Sequence, residues 1–354
     1  RASLIPTVVL PLQTTQISCF LPLTNLSLTV VELNISLFDS LGAVLVQSTV
    51  TVTQKNPIDS WIYQWHHLGS QNLKIPEMNW FYDHYTGLER FSIIDYAAYV
   101  FDRYDNRYIE FLVHQLLSGK NLKTDVEKIN LVASFVQSLE YTKDDPENES
   151  YEYPRYPLET VKERRGDCED KAILTAALLF SLGYNVSLIR LPHHMAVGVH
   201  LNETLPLYSY YINEYYFLET TTLSMPLGNV PPEYQGLSNV TVYPISSRPL
   251  LFHNWKNATR YEISTGADYV TVTMIIENLG TEASSDVEVR GAFYDNTSGV
   301  YNLEVIHVPL IAAGEKYLLD ISVDVPASVS TTLKTQVFLN GTMMHQCEST
   351  SRFP

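Results

Sequence analysis

The chain has 354 residues, enough for two or three domains and a sizeable hydrophobic core. Hydrophobic residues make up 45% of it and charged residues 18%, which is typical of a globular protein and excludes a disordered chain or a coiled coil. Because 39 acidic side chains outnumber 23 basic ones, the formal charge is −16, and the basic surface of a nucleic-acid-binding protein is missing. No stretch approaches the length of about 18 apolar residues that a membrane-spanning helix needs, so no span is predicted within this chain.

Glycosylation sequons are unusually frequent. Nine of the 20 asparagines are followed by x-Ser or x-Thr, where roughly three would be expected by chance. A β-rich protein with many Asn and Thr residues produces some sequons by composition alone. We nevertheless interpret the excess as a sign of an extracellular or cell-surface protein whose glycosylation candidates are Asn25, Asn34, Asn148, Asn185, Asn202, Asn239, Asn257, Asn296 and Asn340.

There are three cysteines, so an oxidising compartment leaves at least one thiol unpaired within the chain. Cys19 and Cys347 lie near opposite ends in polar, β-rich surroundings, whereas Cys168 lies in a charged motif. The simplest assignment is a disulfide between Cys19 and Cys347 that leaves Cys168 as a thiol.

The chain divides into three compositional zones. Residues 1–55 alternate apolar and polar side chains with almost no charge, which predicts β-strands. Residues 56–250 contain helical periodicity and charged loops. Residues 260–354 form short β-type segments separated by turns, a pattern typical of an immunoglobulin-like β-sandwich. The N-terminal zone is either a separate sandwich or part of the C-terminal one.

The central zone mixes helices and strands. A capping box at Thr124 precedes an apolar stripe through Leu139, which predicts a helix there. After a loop over residues 141–165, an almost entirely apolar helix is predicted from about Asp167 to Leu182, ending at Gly183. Three strands should follow, and we place them at 186–191, 195–201 and 208–219.

The motif Gly166-Asp167-Cys168-Glu169-Asp170 lies where the loop turns into the buried helix. A thiol in the first helical turn meets the positive end of the helix dipole, which lowers its pKa. The three neighbouring carboxylates oppose that effect, so a reactive thiolate also needs an imidazolium partner. A cysteine at the tip of a buried helix is the arrangement of papain-type nucleophiles.

His194 directly precedes the second predicted strand, and Glu219 ends the third. Adjacent antiparallel strands packed on the helix would bring thiol, imidazole and carboxylate together, with the carboxylate orienting the imidazole. The neighbouring His193 is a competing candidate on position alone. The pair His66-His67 is better explained by packing or solvation than by metal binding.

Several motifs together resemble the transglutaminase-like superfamily, and in particular its prokaryotic, largely archaeal cell-surface branch. They are Gly166–Asp170, Gly183-Tyr184, His194–Val199, Tyr216–Thr221, the upstream segments at 135–141 and 153–157, and Pro226-Leu227-Gly228 with Pro231. The resemblance covers roughly residues 60–245, and it favours His194 over His193.

The resemblance implies an α+β, papain-like fold and a Cys–His–Asp triad that transfers acyl groups through a thioester. By position, Cys168 would be the nucleophile, His194 the acid and base, and Glu219 the carboxylate, although Glu replaces the more common Asp. The oxyanion hole would use the Cys168 backbone N–H, with Gln137 as a candidate side-chain donor. Some relatives bind calcium next to the nucleophile, which suggests Asp167 and Glu169 as ligands, although these residues are better explained as a helix cap and a solvated side chain.

We therefore expect an extracellular enzyme that acts on protein or peptide amides, by hydrolysis or by transamidation to a lysine amine, and requires no cofactor except optionally calcium. The rival hypothesis is a non-enzymatic, glycosylated surface protein that adheres or assembles with itself or with other cell-surface proteins and contains an inactive domain of this type.

Overall fold

The computed structural model describes residues 30–38, 44–53, 59–77, 79–87, 90, 96–100, 105–144, 153–206, 209–236, 240–263, 268–295, 297 and 299–353. These residues form a mixture of helices and sheets. Within these ranges, no helix combines the length and the apolar character needed to cross a bilayer.

Two antiparallel hairpins begin the described chain. Strands β1 (Val30–Phe38) and β2 (Val44–Thr53) pair with each other, as the alternating sequence of this zone predicts. Strands β3 (Ser60–His66) and β4 (Ser70–Pro76) form the second hairpin. Its turn contains Gly69 at a φ of 122°, a conformation that glycine adopts without steric cost.

Six helices belong to the central part of the described chain. They are α1 (Asn79–Thr86), α2 (Ala97–Val100), α3 (Asn106–Leu117), α4 (Asp125–Gln137), α5 (Pro157–Glu163) and α6 (Cys168–Ser181). The predicted capping box of α4 is present: Thr124 Oγ1 accepts from Glu127 N–H at 3.1 Å, and Glu127 Oε2 accepts from Thr124 N–H at 3.1 Å.

Helix α6 is the centre of the larger hydrophobic cluster. Its residues are buried from Glu169 to Leu179, which explains why its sequence is apolar on almost every side. It packs against helices α2 to α5. The predicted range of about Asp167 to Leu182 differs from the observed helix by one residue at each end.

A five-stranded sheet lies on the other side of α6. Its strands are β7 (Val186–Leu191), β8 (His194–Val199), β9 (Tyr211–Ile212), β10 (Tyr215–Leu218) and β11 (Thr241–Pro244), in the order β11-β7-β8-β10-β9. A short parallel pair, β5 (Glu140–Tyr141) with β6 (Arg165–Gly166), joins the end of α4 to the start of α6.

The prediction of one strand over 208–219 was wrong. Two short strands, β9 and β10, form a hairpin there, because Asn213 and Glu214 turn the chain with φ values of 47° and 70°. The strand predicted at 195–201 is β8, which begins one residue earlier, at His194, and ends at Val199.

The C-terminal part consists of two antiparallel sheets. One has the order β12-β13-β16 and the other β15-β14-β17-β18. Apolar side chains from both sheets form a second hydrophobic cluster between them. The strands are β12 (Leu251–Tyr261), β13 (Tyr269–Asn278), β14 (Ser284–Tyr294), β15 (Val300–Ile311), β16 (Lys316–Asp324), β17 (Thr332–Leu339) and β18 (Thr342–Glu348).

Strand β12 begins at Leu251, before the predicted start of the β-rich zone at residue 260. The sequence did not indicate this earlier start, because the residues from His253 to Lys256 do not alternate between apolar and polar side chains. Its first residues also connect the two clusters. Leu250 and Phe252 belong to the larger cluster, whereas Leu251 between them belongs to the C-terminal one. Consecutive residues on a strand point to opposite faces, so this short segment forms part of both cores.

Candidate active site

The start of α6 is held by a buried network of charges. Asp170 Oδ2 accepts a hydrogen bond from Asp167 N–H at 3.3 Å, which caps the helix as predicted. Asp170 also accepts from the backbone N–H of Arg155 at 2.7 Å and from its guanidinium at 2.5 Å. Since Asp170 is fully buried, the Arg155 charge compensates its burial and fixes the first turn of α6, where Cys168 lies.

His194 and Glu219 meet at the ends of neighbouring strands. Nε2 of His194 lies 2.9 Å from Oε2 of Glu219, which follows β10 and is fully buried. The adjacent His193 is exposed in the turn before β8, with a φ of 58°. Strand register therefore directs His194, and not His193, towards the carboxylate.

Glu219 is held firmly as a carboxylate. Its Oε1 accepts hydrogen bonds from Thr221 N–H at 2.7 Å and from Thr221 Oγ1–H at 2.5 Å. Burial alone would raise its pKa, but the hydrogen bond and charge of His194, together with the Thr221 donors, lower it to about 2. A carboxylate of this kind orients the imidazole and stabilises its protonated form.

Cys168 lies beside the first residues of β8. The backbone N–H of Met195, the residue that follows His194, is near enough to lower the pKa of the Cys168 thiol. The thiol donates to Glu169 Oε2 at 3.3 Å. Burial is the main cause that raises the pKa of Cys168, and the charges of Glu169 and Asp167 raise it further. The lowering expected from the helix dipole is therefore outweighed in the free protein.

Tyr234 is a site residue that the sequence analysis missed. Its ring stacks on the imidazole of His194, with centroids 4.8 Å apart and planes 4° from parallel. It belongs to a short 3₁₀ helix, Pro232–Tyr234, that lies between β10 and β11 in the chain. The stack covers one face of the imidazole and restricts its rotation. No periodicity in the sequence identifies Tyr234 as a site residue, although Pro231, which directly precedes the 3₁₀ helix, is one of the residues that carry the family resemblance.

Gln137 does not have the geometry of an oxyanion donor. Its Nε2 donates to the backbone carbonyl of Glu219 at 2.9 Å and to that of Met225 at 2.8 Å. Both amide hydrogens are therefore used to hold the turn after β10. The prediction of Gln137 as an oxyanion donor is corrected accordingly: its side chain positions the backbone of Glu219.

The carboxylates of Asp144, Asp167 and Glu169 converge next to Cys168. One oxygen from each lies within 4.8 Å of the others. Burial and the nearby Asp167 raise the pKa of Glu169 to about 10. Within the described part of the chain, Oε1 of Glu169 is buried without a hydrogen-bond partner. This all-oxygen donor set fits a hard cation such as Ca²⁺, and it adds Asp144 to the two ligands suggested by sequence.

The other predicted sites lie elsewhere on the chain. Asn202, Asn257 and Asn340 are exposed, whereas Asn185 is partly buried and its Oδ1 accepts from Tyr215 Oη at 3.3 Å. Asn34 lies on β1. Outside the described residues lie Cys19, and with it the predicted disulfide, and the sequons at Asn25, Asn148, Asn239 and Asn296.

Comparison with known proteins agrees with the central motifs. Residues 110–223 match a family model described as a transglutaminase-like domain, a range that contains Cys168, His194 and Glu219. The resemblance to the transglutaminase-like superfamily is thereby confirmed for this part of the chain. No curated protein matches the sequence.

Matches to solved structures are weak. A β-glucosidase from Kluyveromyces marxianus is 15% identical over 28% of this chain and 14% of its own length, with a TM-score of 0.20. A putative β-galactosidase from Bacteroides fragilis is 9% identical over 47% of this chain and 28% of its own length, with a TM-score of 0.23. Likenesses at this level carry no argument about fold or function.

Proposed function

Taking the transglutaminase-like domain at residues 110–223 as the premise, we propose that this protein is a cysteine-dependent acyl transferase that acts on protein or peptide amides. The observation that carries the proposal is the His194–Glu219 pair, whose Nε2 and Oε2 atoms are 2.9 Å apart, next to a cysteine at the N-terminus of a buried helix. Both the orienting carboxylate and the nucleophile are thus attached to rigid elements.

We propose a proton path through the other ring nitrogen of His194. Because Nε2 of His194 is directed at Glu219, the other ring nitrogen, Nδ1, is the atom that exchanges a proton with Cys168. Loss of this proton gives the thiolate, which attacks the carboxamide carbon. The backbone N–H of Cys168, in the first turn of α6, has no partner within the helix and supplies a donor to the oxyanion.

The rest of the reaction follows from thioester chemistry. The C–N bond breaks as imidazolium returns its proton to the leaving amine, and the acyl group stays on Sγ. Water then attacks the thioester to give the acid and the free thiol, which is hydrolysis; a lysine amine gives a new amide, which is transamidation. We propose hydrolysis as the main outcome.

The test is labelling of Cys168 with a chloroacetamide probe, followed by peptide mass spectrometry. We expect wild-type Cys168 to react well above the rate of free cysteine, and His194→Asn to slow it roughly a hundredfold, as loss of a general base does. Cys347 in the same digest is an internal control. A peptide-library digest with wild type and Cys168→Ala then identifies cleavage; equal labelling in His194→Asn contradicts the proposal.

The alternative is a non-enzymatic surface protein with an inactive domain of this type. It is favoured by the environment of Cys168, where burial and the neighbouring carboxylates raise the pKa of the thiol and keep it protonated in the free protein. Under this alternative, Cys168 reacts no faster than free cysteine, and Cys168→Ala leaves adhesion or self-assembly unchanged.

We propose that Asp144, Asp167 and Glu169 are ligands of an optional Ca²⁺ ion. Their carboxylate oxygens converge, and Oε1 of Glu169 is buried without a hydrogen-bond partner among the described residues. A bound cation would offset the mutual repulsion of the carboxylates and stiffen the start of α6. We expect millimolar CaCl₂, but not MgCl₂, to raise the melting temperature of wild type, and Asp144→Asn to reduce that rise. An equal rise in both proteins would contradict this site.

We further propose that the protein is glycosylated and lies outside the cell or on its surface, and that it belongs to the prokaryotic branch that its motifs resemble. Exposure of Asn202, Asn257 and Asn340 supports it. The three- and four-stranded sheets around one cluster support an immunoglobulin-like sandwich for residues 260–354, following a papain-like domain at 56–250 and a β-rich segment at 1–55. Peptide mass spectrometry of the native protein, before and after enzymatic removal of N-linked glycans, tests whether Asn202, Asn257 and Asn340 carry sugars.

A further inference from the structure

Two histidines and a cysteine meet between the two C-terminal sheets, in a cluster separate from the acidic one. His253 lies on β12, and His345 and Cys347 lie on β18. The Nδ1 atoms of His253 and His345 are 3.1 Å apart, and Sγ of Cys347 is 3.9 Å from Nδ1 of His345. One donor atom from each of the three residues lies within 4.8 Å of the others.

Strand geometry explains why these side chains converge. His345 and Cys347 are two residues apart on β18, so they point to the same face of their sheet. That face meets β12 of the other sheet. His253 is 1% exposed and His345 is 6% exposed, while Cys347 is partly open to solvent. Burying two imidazoles side by side costs free energy unless they hydrogen-bond to each other or bind a ligand.

The residues around the cluster orient one imidazole. Nε2 of His253 lies 2.8 Å from Oγ1 of Thr335, which also accepts the indole N–H of Trp255 at 2.6 Å. In the tautomer that donates from Nε2 to Thr335, the Nδ1 lone pair of His253 faces the cluster, and this is the tautomer that a bound metal would select. Such outer hydrogen bonds fix the tautomer of metal-binding histidines in proteins.

We propose that His253, His345 and Cys347 bind a late first-row transition-metal ion, Zn²⁺ or copper, through two imidazole Nδ1 atoms and one thiolate. Nitrogen and sulfur donors select such ions and disfavour Ca²⁺ and Mg²⁺. Ligands of one tetrahedral zinc, at about 2.0 Å for nitrogen and 2.3 Å for sulfur, lie roughly 3.3 to 3.6 Å apart. The two measured separations, 3.1 and 3.9 Å, bracket that range.

Binding changes the protonation of Cys347. In the metal-free protein its thiol is 3.2 Å from the carbonyl oxygen of His253 and donates to it. The metal–sulfur bond forms as this proton leaves for solvent, so one proton is released for each ion bound. The ion then links β12 to β18 and hence one sheet to the other. Because the thiolate is a ligand, the site and a Cys19–Cys347 disulfide exclude each other.

The test uses the full chain, purified under reducing conditions, with Co²⁺ as the probe. We expect one equivalent of Co²⁺ to give a thiolate-to-cobalt charge-transfer absorption, which one equivalent of Zn²⁺ removes. Cys347→Ser should abolish this absorption, and His253→Gln or His345→Gln should weaken Co²⁺ binding at least tenfold. Two matched controls should retain it: Cys168→Ser, which removes the other described thiol, and His307→Gln, which removes an exposed imidazole on β15.

A second measurement guards against misfolded variants. Circular dichroism should show native structure in metal-free Cys347→Ser, and Zn²⁺ should raise the melting temperature of wild type but not of this variant. Competition between Zn²⁺ and Cu⁺ identifies the preferred ion. The proposal is overturned if Co²⁺ gives no thiolate absorption, if the absorption persists in Cys347→Ser, or if mass spectrometry of native protein finds Cys347 linked to Cys19.

Discussion

At the scale of single residues, Glu219 links the strands of the candidate site to its chemistry. One carboxylate oxygen holds His194 and the other is held by Thr221, while Gln137 holds its backbone carbonyl. Because every contact of the side chain favours the charged form, the carboxylate should contribute to folding as well as to the orientation of His194.

The pH dependence of stability tests this arrangement. The pKa of Glu219 is about 2 in the folded protein and about 4.5 in an unfolded chain, so its stabilising effect is complete above pH 4.5 and is lost as the pH falls towards 2. The shift corresponds to about 3 kcal/mol. In urea unfolding, the difference in free energy between wild type and Glu219→Gln should shrink from pH 6 to pH 3. A difference that stays constant over this range would show that the carboxylate charge is not responsible.

At the scale of secondary-structure elements, α4 carries Gln137 to the turn that holds Glu219. The helix starts at an exposed capping box and ends at the residue that makes these contacts. Its buried residues, which include Phe135 and Val136, pack into the larger cluster.

Loss of the cap should weaken this helix without touching the site. Thr124→Ala removes the hydroxyl that accepts from Glu127 N–H, and we expect a loss of about 1 kcal/mol in the free energy of unfolding. Thr124→Ser keeps the hydroxyl and is the matched control. Chemical denaturation followed by helical circular dichroism measures both; an equally destabilised serine variant would attribute the effect to the lost methyl group.

Sequence alone predicted the elements whose signals are local. The capping box at Thr124, the apolar periodicity of α6 and the β pattern of the C-terminal zone all depend on neighbours along the chain, and the structure contains each of them. It also anticipated the approach of His194 to Glu219, through family register. It could not anticipate Tyr234, the commitment of Gln137 to two carbonyls, or the burial around Cys168, because these depend on how distant segments pack.

The same limit explains the missed histidine cluster. His253 and His345 are 92 positions apart, and nothing in the sequence around either one marks it as a partner of the other. Only the packing of β12 against β18 brings them together.

At the scale of the whole molecule, the described residues build two large hydrophobic clusters. One surrounds α6 and the other lies between the C-terminal sheets. Each cluster contains enough fully buried side chains to be a core of its own, and Met344 packs against both.

Thermal unfolding should therefore occur in two steps. Leu174→Ala, in α6, and Val272→Ala, in β13, each remove a fully buried apolar side chain from one cluster only. The first should cost about 2 to 5 kcal/mol, and each variant should lower the midpoint of a different calorimetric transition. If either variant moves both transitions equally, the two clusters unfold as one unit.

The alternation of Leu250, Leu251 and Phe252 between the two cores has a mechanical consequence. A segment whose side chains pack into both cores cannot act as a hinge, because rotation about it would pull side chains out of one core or the other. Tension applied to the C-terminal sheets is thus transmitted directly to the body that holds Cys168.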